Sequence, residues 1–266
     1  MGIKKFIHAG QLLSINSLRL LAGNLGSFGM MALFDALFLV SLFGLQMLFN
    51  YFAQFLVIPS QLTAMAFFYI ALTSIYFLVI LFAYSFFKYG LLYSVKSLFD
   101  KTEFSFNRLW RFYLLNIALI LPAFASFSIL LESIKESYRP SIFIAMGIPL
   151  FILLYLVTNL SQSFFYEGLS IKKSVRKSFA VAFTKIKDCA ELILLIGFSV
   201  MLLGLLLLGS GYLVRLAADR NYMFYLNLYG YFRQASIISF YLVYYSAISI
   251  NRISFYQITK KFSAKG

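Results

Sequence analysis

Six stretches, at roughly 27–49, 63–87, 109–131, 142–166, 190–213 and 224–249, each run for over twenty residues with at most one charged side chain. About twenty apolar residues in helical form cross a hydrocarbon core about 30 Å thick. In lipid every backbone N–H and C=O must be satisfied within its own segment or in a closed barrel. A barrel would show alternating strands of about ten residues. These runs are continuous, so they predict helices. With 62% hydrophobic and 12% charged residues, the chain has too little polar surface to cover a soluble globule. The expected fold class is therefore all-α: a polytopic integral membrane bundle of six transmembrane helices, forming a single domain over residues 1–266.

Lysine and arginine near span ends resist translocation and so set orientation. Counting Arg111 at the edge of the third span, 18 of the 23 basic residues fall before span 1, between spans 2 and 3, between 4 and 5, and after 6. The opposite side holds Lys135, Arg139, Arg215 and Arg220, and Arg233 lies inside span 6. This asymmetry predicts a multi-pass protein of the cell membrane with both termini cytoplasmic. The net charge of +14 is spread along one face without a nucleic-acid-binding motif. Its expected partners are membrane lipids with anionic headgroups, together with membrane-protein partners, and not nucleic acid.

The segment SIKKSVRKSFAVAFTKIKD, residues 170–188, places Ile171, Val175, Phe179, Ala182 and Ile186 at steps of four, four, three and four. That spacing predicts one apolar stripe on a helix. Lys172, Lys173, Arg176, Lys177, Lys185 and Lys187 fill most of the remaining surface and are the candidate lipid-headgroup contacts. The pattern describes an interfacial amphipathic helix with its stripe in the acyl boundary. Related segments begin at Ser14 (SINSL), Ser94 (SVKSL) and Ser174 (SVRKSF), 80 residues apart, with Gly10, Gly90 and Gly168 a few positions before them. The spacing predicts three interfacial amphipathic helices, each followed by two spans, in repeated units 1–88, 89–167 and 168–266.

The stretches SLRLLAGNLGSF, YGLLYSVKSLFDKTEFSFNRLWRFYLLN and EGLSIKKSVRKSFAVAFTKI together resemble a loose group of six-span prokaryotic membrane proteins. That group comprises YciC-like proteins and the membrane domain found with some glycerophosphodiester phosphodiesterases. The element that carries most of the likeness is KSVRKSF, from Lys173 to Phe179. The resemblance implies the six-span architecture and no particular activity. The 266 residues hold no soluble phosphodiesterase domain, so that enzyme's chemistry is not carried over.

Ionisable groups within a bilayer cost roughly 2.5–3.5 kcal/mol on insertion scales, so they face the bundle and find partners. Asp35 lies about eight residues into span 1 and Arg233 about nine into span 6 from the other edge. At 1.5 Å per residue their levels almost meet. They form a candidate intramembrane polar pair, read as an ion or substrate relay, a clamp between first and last spans, or two separately snorkelling groups. Tyr155, Asn159, Gln162 and Tyr166 form a candidate polar stripe on span 4, suited to a pocket or to interhelical hydrogen bonds. Glu191 is placed to pair with Lys187 four residues earlier. Pro122 and Pro149 fall in spans 3 and 4 as candidate kinks.

Chemistry is sparse. His8 is the one histidine and Cys189 the one cysteine. There is no HExxH, no DxxD and no phosphate-cradling glycine loop, so neither an enzyme nor a cofactor or metal site is expected. Two readings follow. The first is a noncatalytic membrane protein whose basic amphipathic helices bind the cytoplasmic leaflet, organising lipids or partner proteins. The alternative is a small-molecule, ion or lipid transporter using a midplane polar site.

Overall fold

The computed structural model describes residues 13–54, 62–132, 134, 143–184, 186–216 and 222–263. Among them every regular element is helical: α1 (Leu13–Ala22), α2 (Leu25–Gln54), α3 (Leu62–Ser97), α4 (Phe106–Glu132), α5 (Ile148–Tyr166), α6 (Ile171–Thr184), α7 (Ile186–Leu216) and α8 (Tyr222–Ser263). Five helical segments are long and apolar enough to cross a membrane: Leu25–Gln54, Phe67–Ser97, Phe106–Ser128, Phe143–Tyr166 and Gly197–Leu216. That is the mark of a multi-pass membrane protein. Span 6 of the sequence reading lies within α8, whose 42 residues extend about 63 Å at 1.5 Å per residue. It has the length but is less apolar, because seven tyrosines, four serines, Arg233 and Gln234 are spread over residues 222–249.

A π-helical turn, Phe143–Gly147, leads into α5. Pro149 stands in the first turn of α5. There its missing N–H leaves no intrahelical bond unmade, so this proline opens the helix and does not kink it midway. Close packing of rings is possible here because Gly147 has no Cβ: one added there would lie 3.2 Å from the Phe143 ring and 3.5 Å from Phe127. Pro122 is internal to α4, which continues on both sides of it.

The middle basic segment differs from the expectation of a separate surface helix. Helix α3 runs straight through Ser94 to Ser97. A turn then closes with Phe99 N donating to Lys96 O and Asp100 N to the same carbonyl, at 2.9 and 3.0 Å. The apolar pattern of α3 simply carries on past the polar onset at Lys88, so continuous packing overrides the local basic signature.

The chain forms two packing units. The larger comprises Asn24–Thr184 and Thr259–Gly266. Within it α2 and α3 run antiparallel, because Phe34 meets Gly90, Phe38 meets Tyr84 and Phe87, and Phe49 stacks on Tyr76 at 4.4 Å. Where the end of α3, the start of α4 and the end of α5 converge, Tyr89, Leu92, Leu109, Phe112, Leu115, Phe165 and Tyr166 form a buried cluster. Ile171 and Val175 of α6 pack against it. The smaller unit comprises Met1–Gly23 and Lys185–Ile258. In it α1 is joined to α7 through Glu191 and to α8 through a 2.7 Å bond between the Ser17 and Ser254 hydroxyls.

Candidate functional site

In the larger unit α3, α4 and α5 bring polar side chains together inside their apolar surroundings. Tyr84, Ser85 and Lys88 are neighbours on one face of α3, at steps of three and four. Tyr155, Asn159, Gln162 and Tyr166 form the matching row on α5. Gln162 Nε2 donates to Asn116 Oδ1 at 2.8 Å and to Tyr84 OH at 3.0 Å. Asn116 Nδ2 donates to Ser85 Oγ at 2.8 Å, and Ser85 Oγ to Leu81 O at 2.7 Å. Ser85, Asn116 and Gln162 are all fully buried. Donors therefore run in one direction through the ladder, and at its head Gln162 Oε1 is buried without a hydrogen-bond partner.

One turn along α3, Lys88 Nζ donates to Asn159 Oδ1 at 3.0 Å, while Asn159 Nδ2 donates to Tyr155 O at 2.8 Å. Lys88 lies nine residues before the end of α3, about 14 Å by helical rise. Its partner Asn159 precedes Gln162 on α5, so the ammonium reaches inward along the helix instead of snorkelling toward the nearer end. The sequence reading counted Lys88 only as an interface cation. Its spacing from Tyr84 and Ser85 was the signal that could have placed it in the polar row.

The α5 terminus is built around Gly168, whose φ of +110° suits a residue without a Cβ. Leu169 N bonds to Phe164 O at 3.2 Å and Gly168 N to Phe165 O at 3.0 Å, the paired bonds of a Schellman ending. The exposed end of the helix dipole then meets cations. Arg108 Nη2 donates to Phe165 O and Tyr166 O, both at 3.3 Å, and Lys96 Nζ to Tyr166 O at 3.4 Å. Glu167 lies 3.9 Å from Lys96. The Tyr166 ring is buried against Tyr89, with ring centroids 5.0 Å apart. It therefore serves this junction and stands apart from the Gln162 ladder.

Helix α6 corrects the expected lipid stripe. Its buried residues are Ser174, Ser178, Val181 and Ala182. Ser178 Oγ donates to Val175 O at 2.7 Å, which makes Ser161 the donor in the 2.6 Å bond between the Ser161 and Ser178 hydroxyls. Ile171, Val175 and Ala182 thus face protein, because the small serines between them let α6 lie close against α5. Lys172, Lys173 and Arg176 are exposed, and Lys177 is half-buried with Nζ 5.6 Å from the Phe164 ring centroid. Phe179, of the predicted stripe, and Phe183, outside it, are 41% and 63% exposed. Lys185 and the side chains of Ile186 and Lys187 lie outside the described residues.

Asp35 is half-buried on α2 in the larger unit, and Arg233 is exposed on α8 in the smaller. Glu191 has a use other than the expected bond to Lys187: its Oε1 accepts from Ser14 N at 3.1 Å and from Ser14 Oγ at 2.8 Å. A carboxylate at the first turn of α1 satisfies a backbone donor that the helix leaves open. Among the described residues no three His, Cys, Asp or Glu side chains gather as a metal site.

No protein-family model, curated protein or solved structure matches the chain.

Proposed function

We propose that this chain is a noncatalytic six-span protein of the cell membrane that holds its cytoplasmic leaflet through basic surfaces, organising anionic lipids or partner proteins there. One observation carries the reading: a single end of the larger unit gathers cations from three separate parts of the chain. Lys96, Lys101, Arg108 and Arg111 flank the α3–α4 turn, Lys172 to Lys177 cover the start of α6, and Lys260 binds Asp100 Oδ2 at 2.5 Å. Arg108 and Lys96 tie the α3–α4 turn to the end of α5, from which α6 departs. Cations concentrated beside membrane-spanning helices favour anionic headgroups by about 1 kcal/mol for each residue close to the surface. Kinship with the YciC-like group belongs to this proposal and adds no chemistry to it.

The test is native mass spectrometry of the full chain released from mixed bilayers of phosphatidylglycerol and phosphatidylcholine. Preferential retention of phosphatidylglycerol is expected; equal retention of the two lipids ends the reading.

The polar ladder favours a second reading, a transporter for a small molecule, an ion or a lipid. Gln162 Oε1 offers an unpartnered acceptor, and Asp35 on α2 and Arg233 on α8 are the charges that such a reading would use. In proteoliposomes, flux abolished by both Arg233→Ala and Gln162→Leu would support it, and flux unchanged in both would remove it.

A further inference from the structure

The outward side of α6 carries a second pattern across the length of the helix. At 100° per residue, Lys172, Arg176, Phe179 and Phe183 fall within about 60° of one another. All four are exposed, and the opposite side is held by buried Ser174, Ser178 and Val181. The face is therefore a stripe, cationic over the first two turns and aromatic over the last two. From Lys172 to Phe183 it spans about 16 Å at 1.5 Å per residue.

The cations sit at the wrong end for the helix itself. The N-terminus of a helix carries partial positive charge, so Lys172 and Lys173 in its first turn are unfavourable there. The first turn of α6 contains no acidic residue to offset them. An anion supplied from outside would relieve both the side-chain charge and the open N–H groups of that turn. Phosphate suits both sets of donors. The two phenylalanines further along are too exposed for an aqueous surface, and hydrocarbon suits them.

We infer that α6 docks on the anionic phospholipid leaflet obliquely, with lipid phosphates at Lys172, Lys173 and Arg176 and with Phe179 and Phe183 inserted among the acyl chains. The inference rests on the leaflet-binding reading above and deepens it by naming the face and the tilt. The serine-lined contact with α5 fixes that face outward, so the helix meets the leaflet pre-oriented instead of rolling to bury Ile171 and Val175.

The experiment uses the full chain in vesicles of phosphatidylglycerol and phosphatidylcholine, in a Trp110→Phe background that removes the single tryptophan. Tryptophan is introduced by Lys172→Trp, Phe179→Trp or Phe183→Trp. Lipids brominated along the acyl chain are expected to quench the 179 and 183 reporters several-fold more than the 172 reporter. Brominated phosphatidylglycerol should quench more than brominated phosphatidylcholine. Equal quenching at all three sites overturns the oblique pose, and equal quenching by the two lipids overturns the phosphate contact.

A second variant, Lys172→Gln/Lys173→Gln/Arg176→Gln, changes only exposed residues. It should lower the lipid preference up to about fivefold per charge, the equivalent of ~1 kcal/mol each. If the variant keeps the full preference for phosphatidylglycerol, the α6 site is wrong while the broader reading survives. If the unmodified chain shows no preference, both fall.

Discussion

At the scale of single residues, two positions make sharp predictions. A Cβ on Gly90 would lie 2.7 Å from Cε1 of Phe34, closer than any relaxed contact. Gly90→Ala must displace that ring from the α2–α3 interface, at about 1–3 kcal/mol for overpacking. The thermal midpoint in detergent should drop, and Phe34→Leu added to Gly90→Ala should recover part of it. Gln162→Leu removes two donated hydrogen bonds at once, leaving Asn116 Oδ1 without the donor that the ladder gives it. Leaving a buried acceptor unsatisfied costs about 1–3 kcal/mol, against an average near 0.6 kcal/mol for an interhelical bond in membranes. The double variant Gln162→Leu/Asn116→Leu should therefore lose less stability than the two single losses combined. Strict additivity in thermal unfolding would show that the two amides are not coupled.

These residues also show what was legible. The four-residue row on span 4 is a matter of helical spacing alone, and the sequence contains it in full. Spacing does not reveal the partner helix, so Asn116 and Ser85, each one of several small polar residues on its own span, passed unnoticed. Lys88 entered the sequence analysis only as one of the cations between spans 2 and 3; a lysine near a span end ordinarily snorkels, and only the position of Asn159 shows that this one turns inward.

At the scale of elements, a helix pattern tells which residues share a side and not what covers that side. The periodicity of α6 correctly groups Ile171 with Val175, yet Ser174 and Ser178 draw that flank onto α5 and leave the phenylalanines outside. The middle repeat looked like a surface helix because its local letters match the others, but α3 extends through it. For α1 the decisive contact is a carboxylate distant in sequence. Glu191→Ala should leave the Ser14 N–H open, costing about 0.5–2 kcal/mol as for a lost N-cap. Amide exchange should accelerate across residues 13–22 and not in α2. Glu191→Gln keeps an acceptor oxygen and should retain most of the protection. If Glu191→Ala leaves exchange in α1 unaltered, the carboxylate is not what holds the helix start.

At the scale of the whole molecule, the proposed six-span topology makes a prediction about α8, which apolarity alone does not mark as a span. Lys260 binds Asp100 Oδ2 and lies 5.4 Å from the Phe99 ring centroid, which sets the end of α8 beside the α3–α4 turn. The same turn meets the end of α5 through Lys96 and Arg108, and α6 leaves from there. Only residue 185 separates α6 from α7. In the proposed six-span topology the start of α7 and the end of α8 both lie on the cytoplasmic side, with two crossings between them. Gly197–Leu216 of α7 is long and apolar enough to cross, and in that topology α8 returns. The tyrosines that dilute its hydropathy are tolerable in a 42-residue helix, since aromatic rings with polar tips are at home in the headgroup layers at either end of a span. Single cysteines placed at 135, 172 and 261 after Cys189→Ser give the measurement. An impermeant maleimide added to intact cells should label position 135 alone, and permeabilisation should open 172 and 261 together. Labelling of 261 from outside would mean that α8 does not cross, and would overturn the six-span topology.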